Sequence, residues 1–394
     1  MSKSDEIIHL SAKLLKHGVT DSKQTFFILS GDTIPVGLPE RFVGLKELLP
    51  SASLIISAPH EPFQNILKAM TEGQSDDFII TPTDSESLLF LPAVHFIENA
   101  DSQRIAELLS AKNAMIADRK WIIAKGNLRP GEAYIHYSVA YFSLFVNFFV
   151  DLLEDLKQGK QISHLRQNAA IEALSHYFNH VIGPLKEERK IVLPEGNDSS
   201  AKTLEFFGKL LVENQLVDSC FGNISCKREN TLLISQTQSS LDELAGSLVE
   251  VPISGQSASD KAASSELPAH RAIYQNHAFS NILHGHPRFA VILSLLCEKD
   301  NCEQRRHCHT HCAESRTIAD IPVVSGEAGS GPFSLSKTVP PAIASGATIV
   351  LGHGVFAAAN SMRTCYETIR ETEIRCFEEV KQLLHKQLNS AYRP

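Results

Sequence analysis

Segments of this 394-residue chain resemble one another at a spacing of 224–229 positions. Leu38-Pro39 recurs as Leu267-Pro268. Ser53–Ile56, followed by His60, Pro62 and Phe63, recurs as Ser280–Leu283, followed by His286, Pro287 and Phe289. Ile122-Ile123 aligns with Ile349-Val350, and each then leads into a long helical pattern, LLEDLKQ at 152–158 and CFEEVKQ at 376–382. Towards the start the spacing slips: Ala12–Leu15 resembles Gly208–Leu211, and Phe26–Ser30 resembles Thr231–Ser235. Self-similarity of this kind is the mark of one structural unit written more than once. The expectation is a degenerate tandem duplication; the other reading is two α/β halves that share helix and strand punctuation by chance. The turn-rich stretch Lys186–Ser200, KEERKIVLPEGNDSS, separates the copies. That places domains at 1–190 and 191–394, each of ordinary domain size.

Composition closes off several function classes. With 43% hydrophobic and 21% charged residues, each half can bury a core and neither reads as disordered. The net charge of −8 and the lack of a long Lys/Arg run argue against nucleic acid or an anionic membrane as partner. Met1–Glu6 is polar and no basic, apolar and cleavage regions follow, so no secretory signal is expected. A cytoplasmic location, with reduced thiols, is the resulting expectation. Ala133–Val150 is uncharged over 18 residues, at the lower edge of a membrane-spanning length. His136, Ser138, Ser143, Asn147 and the acidic DLLEDLK continuation instead favour a buried core helix.

The second half reads as α+β, and its strands carry histidines. Strands are expected near Asn223–Lys227, Thr231–Ser235, Ser280–His286, Ile321–Val324 and Thr348–Leu351, with helices at 199–214, Leu267–Gln275, Phe289–Leu296 and Met362–Asn389. Residues i and i+2 of a strand face the same way, so His284 and His286 point into one space. His353, between Gly352 and Gly354, follows another apolar strand. Three imidazoles with one open position have the composition of a catalytic divalent-metal site. Glu266, at the start of a helix ahead of the histidine pair, can face that ion. A divalent ion acidifies the C–H beside a carbonyl by stabilising the enediolate, and a carboxylate in reach can shuttle the proton. Alone, Glu266 reads first as an acid placed by the helix dipole. Gly222-Asn223 and Ser264-Ser265 could cradle an anion, or be a turn and an ordinary cap.

In order and spacing, these motifs resemble the class II aldolase/adducin family. The carrying residues are Gly222–Ser225, Leu232–Thr237, Ser264–Glu266 with His270, Ile282–His286, Ile321-Pro322 and Val350–Gly354 before a long acidic helix. The resemblance implies a three-layer α/β fold, a central mostly antiparallel sheet flanked by helices, here present twice. It implies that His284, His286 and His353 bind Zn2+, or Mn2+, Co2+ or Fe2+ in its place. It implies that Glu266 is the general acid/base, and that Gly222, Asn223, Thr237, Ser264 and Ser265 hold a substrate phosphate. The implied activity is aldol cleavage or formation in a hydroxy-carbonyl sugar or sugar phosphate through a metal-bound enediolate. A sugar-phosphate 4-epimerase and a non-catalytic adducin-like scaffold are the alternatives. The family's epimerases tend to carry Asp where this chain has Glu266, and adducin-like heads lose the metal histidines. Family members tend to form four-fold rings, so two tandem copies imply a homo-oligomer in which two chains close a pseudo-four-fold ring. Two departures bear on phosphate and on the aldol step. Gln238 follows Thr237 where the family has glycine, and Val323–Gly331 lacks the family's tyrosine.

The first copy should lack the site. By spacing, Gly37 falls at Glu266, Ser57 at His284 and Lys125 at His353, with only His60 near His286. Residues 297–312, CEKDNCEQRRHCHTHC, form an insertion relative to the aldolases. Cys297, Cys302, Cys308 and Cys312, with His307, His309 and His311, have soft-metal ligand chemistry but not zinc-ribbon spacing. A structural zinc or iron–sulfur site, a redox-sensitive loop and an unligated solvent loop stay open. Cys365 and Cys376, in the terminal helix, read as packing residues.

Overall fold

The computed structural model describes residues 3–16, 19–20, 22–29, 35–127, 129–187, 199–218, 220–297, 299, 302, 308–312, 314–327 and 331–391. It divides into two compact units, Met1–His176 and Tyr177–Pro394. Of the turn-rich stretch expected to separate the copies, residues 188–198 lie outside the described residues.

Short runs of Ile, Leu, Val and Ala become strands in both units. The first unit contains β1 (Thr25–Ile28), β2 (Ser53–Ser57), β3 (Phe78–Ile80), β4 (Val94–Ile97), β5 (Ala114–Ala117) and β6 (Trp121–Gly126). Their order in the sheet is β1-β2-β6-β5-β4-β3. The second unit contains β7 (Asn223–Arg228), β8 (Thr231–Ser235), β9 (Leu248–Pro252), β10 (Asn281–Gly285), β11 (Arg316–Ile318), β12 (Ile321–Val324), β13 (Ala347–Val350) and β14 (Gly354–Ala359). Here the order is β11-β12-β13-β14-β10-β7-β8-β9.

Read from β7 to β11, the second sheet repeats the first. The series β7-β10-β14-β13-β12-β11 corresponds to β1-β2-β6-β5-β4-β3. In each, one pair is parallel, β4 with β5 and β12 with β13, and every other neighbour is antiparallel. The second sheet adds the β8–β9 edge. This extra hairpin explains why the sequence spacing slips near the start. It also corrects two alignments made on sequence. Phe26–Ile28 belongs with β7, not with Thr231–Ser235, because β1 pairs with β2 as β7 pairs with β10. Ile122-Ile123 lies on β6, the counterpart of β14, not of the strand carrying Ile349-Val350.

In the second unit, helices lie on both faces of the sheet. Leu267–Asn276 and Leu335–Ala342 pack over one face, where Leu232, Ile234, Ile273, Ile282, Val339 and Phe356 form the core. Gly285, the next residue on β10 after His284, faces Leu211 and Ile369 of the helices Ser199–Glu213 and Met362–Ala391. The alternation of side chains along β10 thus splits the layers, and His284 shares a face with Ile282. In the first unit, Pro130–Lys157 packs along β2 and β6. Its uncharged stretch is a core helix, buried at nearly every position from Tyr137 to Val150. Among the described residues, no helix is long and apolar enough to cross a membrane.

The hairpin register also corrects the residues placed at site positions in the first copy. Ala117 pairs with Trp121 as Val350 pairs with Gly354, so Lys120, not Lys125, stands where His353 stands. Ile56 pairs with Ile123 and with Phe26 as His284 pairs with Phe356 and with Asn223. Ile56 and Ala58 therefore occupy the His284 and His286 positions, where the sequence spacing put Ser57 and His60. Phe26 occupies the Asn223 position.

One buried acid makes the first unit pH-sensitive. Asp84 caps the helix Ser85–Phe90 through the Ser87 amide at 2.8 Å and is fully buried. Burial, opposed by the Ser87 hydrogen bonds, pushes its carboxyl up to about 6. A raised carboxyl stabilises the fold fully below its unfolded value of roughly 4, and that contribution is lost as pH rises through about 6. Asp84→Asn keeps an N-cap acceptor and removes the charge. The variant should gain about 1–3 kcal/mol relative to the native chain between pH 4 and pH 7.5. Urea unfolding followed by Trp121, the single tryptophan and a residue of β6, measures this directly. A pH-independent difference would refute it.

Candidate metal centre

His284 is on β10, His286 follows its last residue, and His353 is in the three-residue turn from β13 to β14. All three are buried. Their ligand nitrogens lie within 4.8 Å of one another, a grouping able to hold a metal ion. His284 Nε2 is 3.0 Å from His286 Nε2 and 3.2 Å from His353 Nε2. These separations approach the edge of ~3.3 Å expected for a tetrahedron with metal–nitrogen bonds of ~2.0–2.1 Å. His284 Nδ1 donates to the Val355 carbonyl at 3.0 Å, leaving the Nε2 lone pair aimed at the other two rings. Donation from the remote ring nitrogen to a carbonyl is the usual support of a metal-binding imidazole. The donor set therefore suits a divalent cation.

The fold brings these rings together through glycines. A Cβ on Gly354 would lie 2.3 Å from the Gly285 carbonyl oxygen, 2.8 Å from His286 Cδ2 and 3.0 Å from His284 Cε1. Gly222, at φ +74°, passes so close that a Cβ would meet the His284 carbonyl at 2.6 Å. Phe356 stacks on His284 at 4.0 Å and Phe221 on His286 at 5.6 Å between ring centres.

Glu266 stands at the N-cap position of the helix Leu267–Asn276, and its side chain, rather than capping the helix, reaches into the cluster. Its carboxylate lies 3.1 Å from His353 Nε2 and 3.7 Å from His284 Nε2. Burial alone would raise this carboxyl, but His284, His353 and the Asn223 amide outweigh it and hold it well below the ordinary carboxylate range. Asn223 Nδ2 donates to Glu266 Oε2 at 2.6 Å. Burial, then the charges of His284 and His353, push His286 well down.

The residues assigned to phosphate lie on neighbouring segments. Asn223 opens β7 and directly contacts Glu266. The Thr237 amide donates to the Ala262 carbonyl at 3.0 Å, and the Ser264 amide to the Ser235 carbonyl at 3.0 Å. Ser264 Oγ accepts from the Glu266 amide at 3.3 Å, while Ser265 and the Thr237 side chain are exposed. Gln238 takes φ +60°, the left-handed conformation that glycine adopts freely, so the turn is kept although the glycine is not.

Cys308 and Cys312 stand one turn apart around the short helix Cys308–His311. Ser325 Oγ donates to the Cys308 carbonyl at 2.8 Å and the Gly326 amide to the His309 carbonyl at 2.9 Å. Cys297, Cys302, Cys308 and Cys312 are thiols, each partly buried. Among the described residues, the groups able to share an ion do not include these four. His307 lies outside the described residues. Cys365 and Cys376 are buried in the terminal helix.

Sequence reasoning did not find the supports of this centre. Arg288, buried two residues after His286, donates to both Asp218 oxygens, the nearer at 3.0 Å. Glu373 accepts from the Phe289 amide at 3.0 Å, the Ala290 amide at 3.1 Å and the Tyr177 hydroxyl at 2.7 Å. A fully buried Glu at the start of the helix Arg288–Leu295 satisfies its orphan amides. Charged residues inside the apolar pattern of a helix were the available signal.

Two substitutions test this geometry. Gly354→Ala should cost about 1–3 kcal/mol by overpacking. It should also weaken divalent-metal affinity at least ~10-fold, as measured by calorimetric titration. Unchanged affinity would contradict the close approach. Gln238→Gly should stabilise the second unit by about 0.5–1 kcal/mol in thermal unfolding by relieving a left-handed side-chain residue. A loss would show that Gln238 makes a compensating contact.

Residues 204–379 match the family described as Class II Aldolase and Adducin N-terminal domain. Among solved structures, the chain is similar to L-fuculose-1-phosphate aldolase from Thermus thermophilus, at 23% identity and a TM-score of 0.39, covering 50% of this chain and 100% of that one. It is similar to a sugar-phosphate aldolase from Thermotoga maritima at 19% identity and a TM-score of 0.35, covering 50% and 97%. An aldolase II superfamily protein from Pseudomonas syringae shares 17% identity at a TM-score of 0.35, covering 49% and 83%. No curated protein matches the chain. The segment that matches the Class II Aldolase and Adducin N-terminal domain family, residues 204–379, thus contains the three-histidine cluster and Glu266.

Proposed function

We propose that the second unit is a divalent-metal-dependent aldehyde-lyase that cleaves or forms a carbon–carbon bond in a hydroxy-carbonyl sugar or sugar phosphate. The observation that carries this reading is the placement of an ionised, anchored carboxylate, Glu266, against three convergent imidazoles. His284, His286 and His353 would hold the ion, zinc or a similar divalent metal. When bound, such an ion supplies Lewis acidity, drawing charge from a carbonyl or hydroxyl oxygen as a neighbouring bond breaks.

The rest is chemistry of the chain's own residues. Glu266 takes a proton from the substrate hydroxyl or the carbon beside the carbonyl and returns it in the reverse step. Its depressed carboxyl keeps it ionised, the form that a proton acceptor requires. Asn223 holds one carboxylate oxygen, so the base is positioned before substrate arrives. Thr237, Ser264 and Ser265 offer hydroxyls to a phosphate or polar tail at the same edge. The first unit we read as a non-catalytic copy, because Ile56, Ala58 and Phe26 stand at site positions. Two chains closing a pseudo-four-fold ring complete the proposal, and a monomer by light scattering at micromolar concentration would remove that part.

Turnover of a panel of sugar phosphates and hydroxy-aldehydes, with zinc, manganese or cobalt, tests the reading. The native protein should release an aldehyde product from at least one of them. Glu266→Gln should lower kcat by about 10²–10⁴-fold. An inverted hydroxyl in place of a free aldehyde would establish an epimerase. Failure on every compound, with metal bound, would favour a scaffold.

A further inference from the structure

The buried face of the helix Leu267–Asn276 carries a polar stripe. Glu266, His270 and Tyr274 are four residues apart, so they lie on one helix face. Asn223 and Ser225 are two apart on β7 and lie on one strand face. The two faces meet as a zipper. Asn223 bonds Glu266 at 2.6 Å and His270 at 2.6 Å. Ser225 Oγ bonds His270 Nδ1 at 2.7 Å and the Tyr274 hydroxyl at 2.8 Å. His270 is fully buried.

The donors and acceptors in this chain have one consistent order. Asn223 must present its NH2 group to the Glu266 carboxylate, which only accepts. Its amide oxygen then faces His270 Nε2, which must donate. His270 Nδ1 is therefore the acceptor, and the Ser225 hydroxyl donates to it. The Tyr274 hydroxyl lies 3.1 Å from the Ser225 carbonyl and can donate there or to Ser225 Oγ. Burial pushes the His270 ring down to about 3, with Glu266 opposing, so it stays neutral at working pH. Phe356, which stacks on His284, also meets the His270 ring edge-on at 6.1 Å.

We propose that His270 is a positioning residue: as the neutral Nε2–H tautomer it locks the Asn223 amide in the one orientation that anchors Glu266. A flipped amide would put an oxygen against the carboxylate. The Glu266 side chain would then lose its anchor and swing relative to the histidine cluster. This inference rests on the proposed lyase reading for its consequence in turnover, but its tautomer and amide orientation stand without it.

Two measurements test it, and the first needs no substrate. In 15N–1H spectra of the full chain, His270 should give a slowly exchanging Nε2–H resonance with no titration from pH 5.5 to pH 8.5. That resonance should vanish in His270→Gln, which assigns it, and shift in Asn223→Ala. A His270 ring protonated on Nδ1, or titrating in that range, overturns the proposal whatever the activity. The second uses turnover. His270→Leu should lower kcat at least ~10-fold while KM stays within about 2-fold and metal content is unchanged. His270→Gln, whose amide can donate to Asn223 and accept from Ser225, should recover most of that loss. A Leu variant as active as the native chain, or a Gln variant as impaired as Leu, overturns it. If no compound is turned over by the native chain, the lyase reading fails and the spectra alone decide the orientation.

Discussion

The close approach of Gly354 to the Gly285 carbonyl is the constraint on which the rest of the centre depends. Antiparallel pairing of β10 with β14 brings the strand that carries His284 beside the turn that carries His353. A side chain at 354 would occupy the space of the Gly285 carbonyl and of two imidazole rings. With none there, the rings converge and Glu266 reaches them from the helix above. Everything that makes the cluster chemical follows from that contact between two backbones. It sets His284 Nε2 at 3.0–3.2 Å from the other two ring nitrogens and leaves the carboxylate beside them, held by the Asn223 amide.

Burying so many polar groups is costly unless each is satisfied. Here the cost is offset by matching two periodicities. A helix offers a polar group every fourth residue, at 266, 270 and 274, and a strand every second, at 223 and 225. Their hydrogen bonds fill one another's needs and leave the carboxylate anchored. On the other side, Arg288, Asp218, Glu373 and Tyr177 hold the chain that leaves His286. The first unit has the same six-strand arrangement without this chemistry. Ile56, Ala58 and Phe26 fill the corresponding places, so an apolar core replaces the polar one.

Much of this was legible in the sequence, and the parts that were not have physical reasons. The repeat pointed to two copies of one sheet because strand order is carried by apolar runs, which survive divergence. The exact pairing of copies was misread, because Phe26–Ile28 and Ile122-Ile123 are generic apolar runs. Only hydrogen-bond register tells β7 from β8, or β13 from β14. His284, His286 and Glu266 could be placed together because strand alternation and a helix start are local facts. His353 was joined to them by its place after an apolar strand and by the family resemblance, and the β10–β14 pairing is what brings it beside His284. His270 stood inside the recognised motif without a role, since its partner lies 47 residues away across the fold. Asn223 was read for phosphate, although the structure joins its amide to Glu266 and His270.

The central claim is that His284, His286 and His353 together hold one divalent ion. X-ray absorption on the full chain loaded with one equivalent of Co2+ tests it most directly. The account predicts a first shell of nitrogen and oxygen scatterers at ~2.0–2.1 Å with a three-imidazole signature, lost in His284→Ala. A shell dominated by sulfur, or a signal unchanged by that substitution, would contradict it.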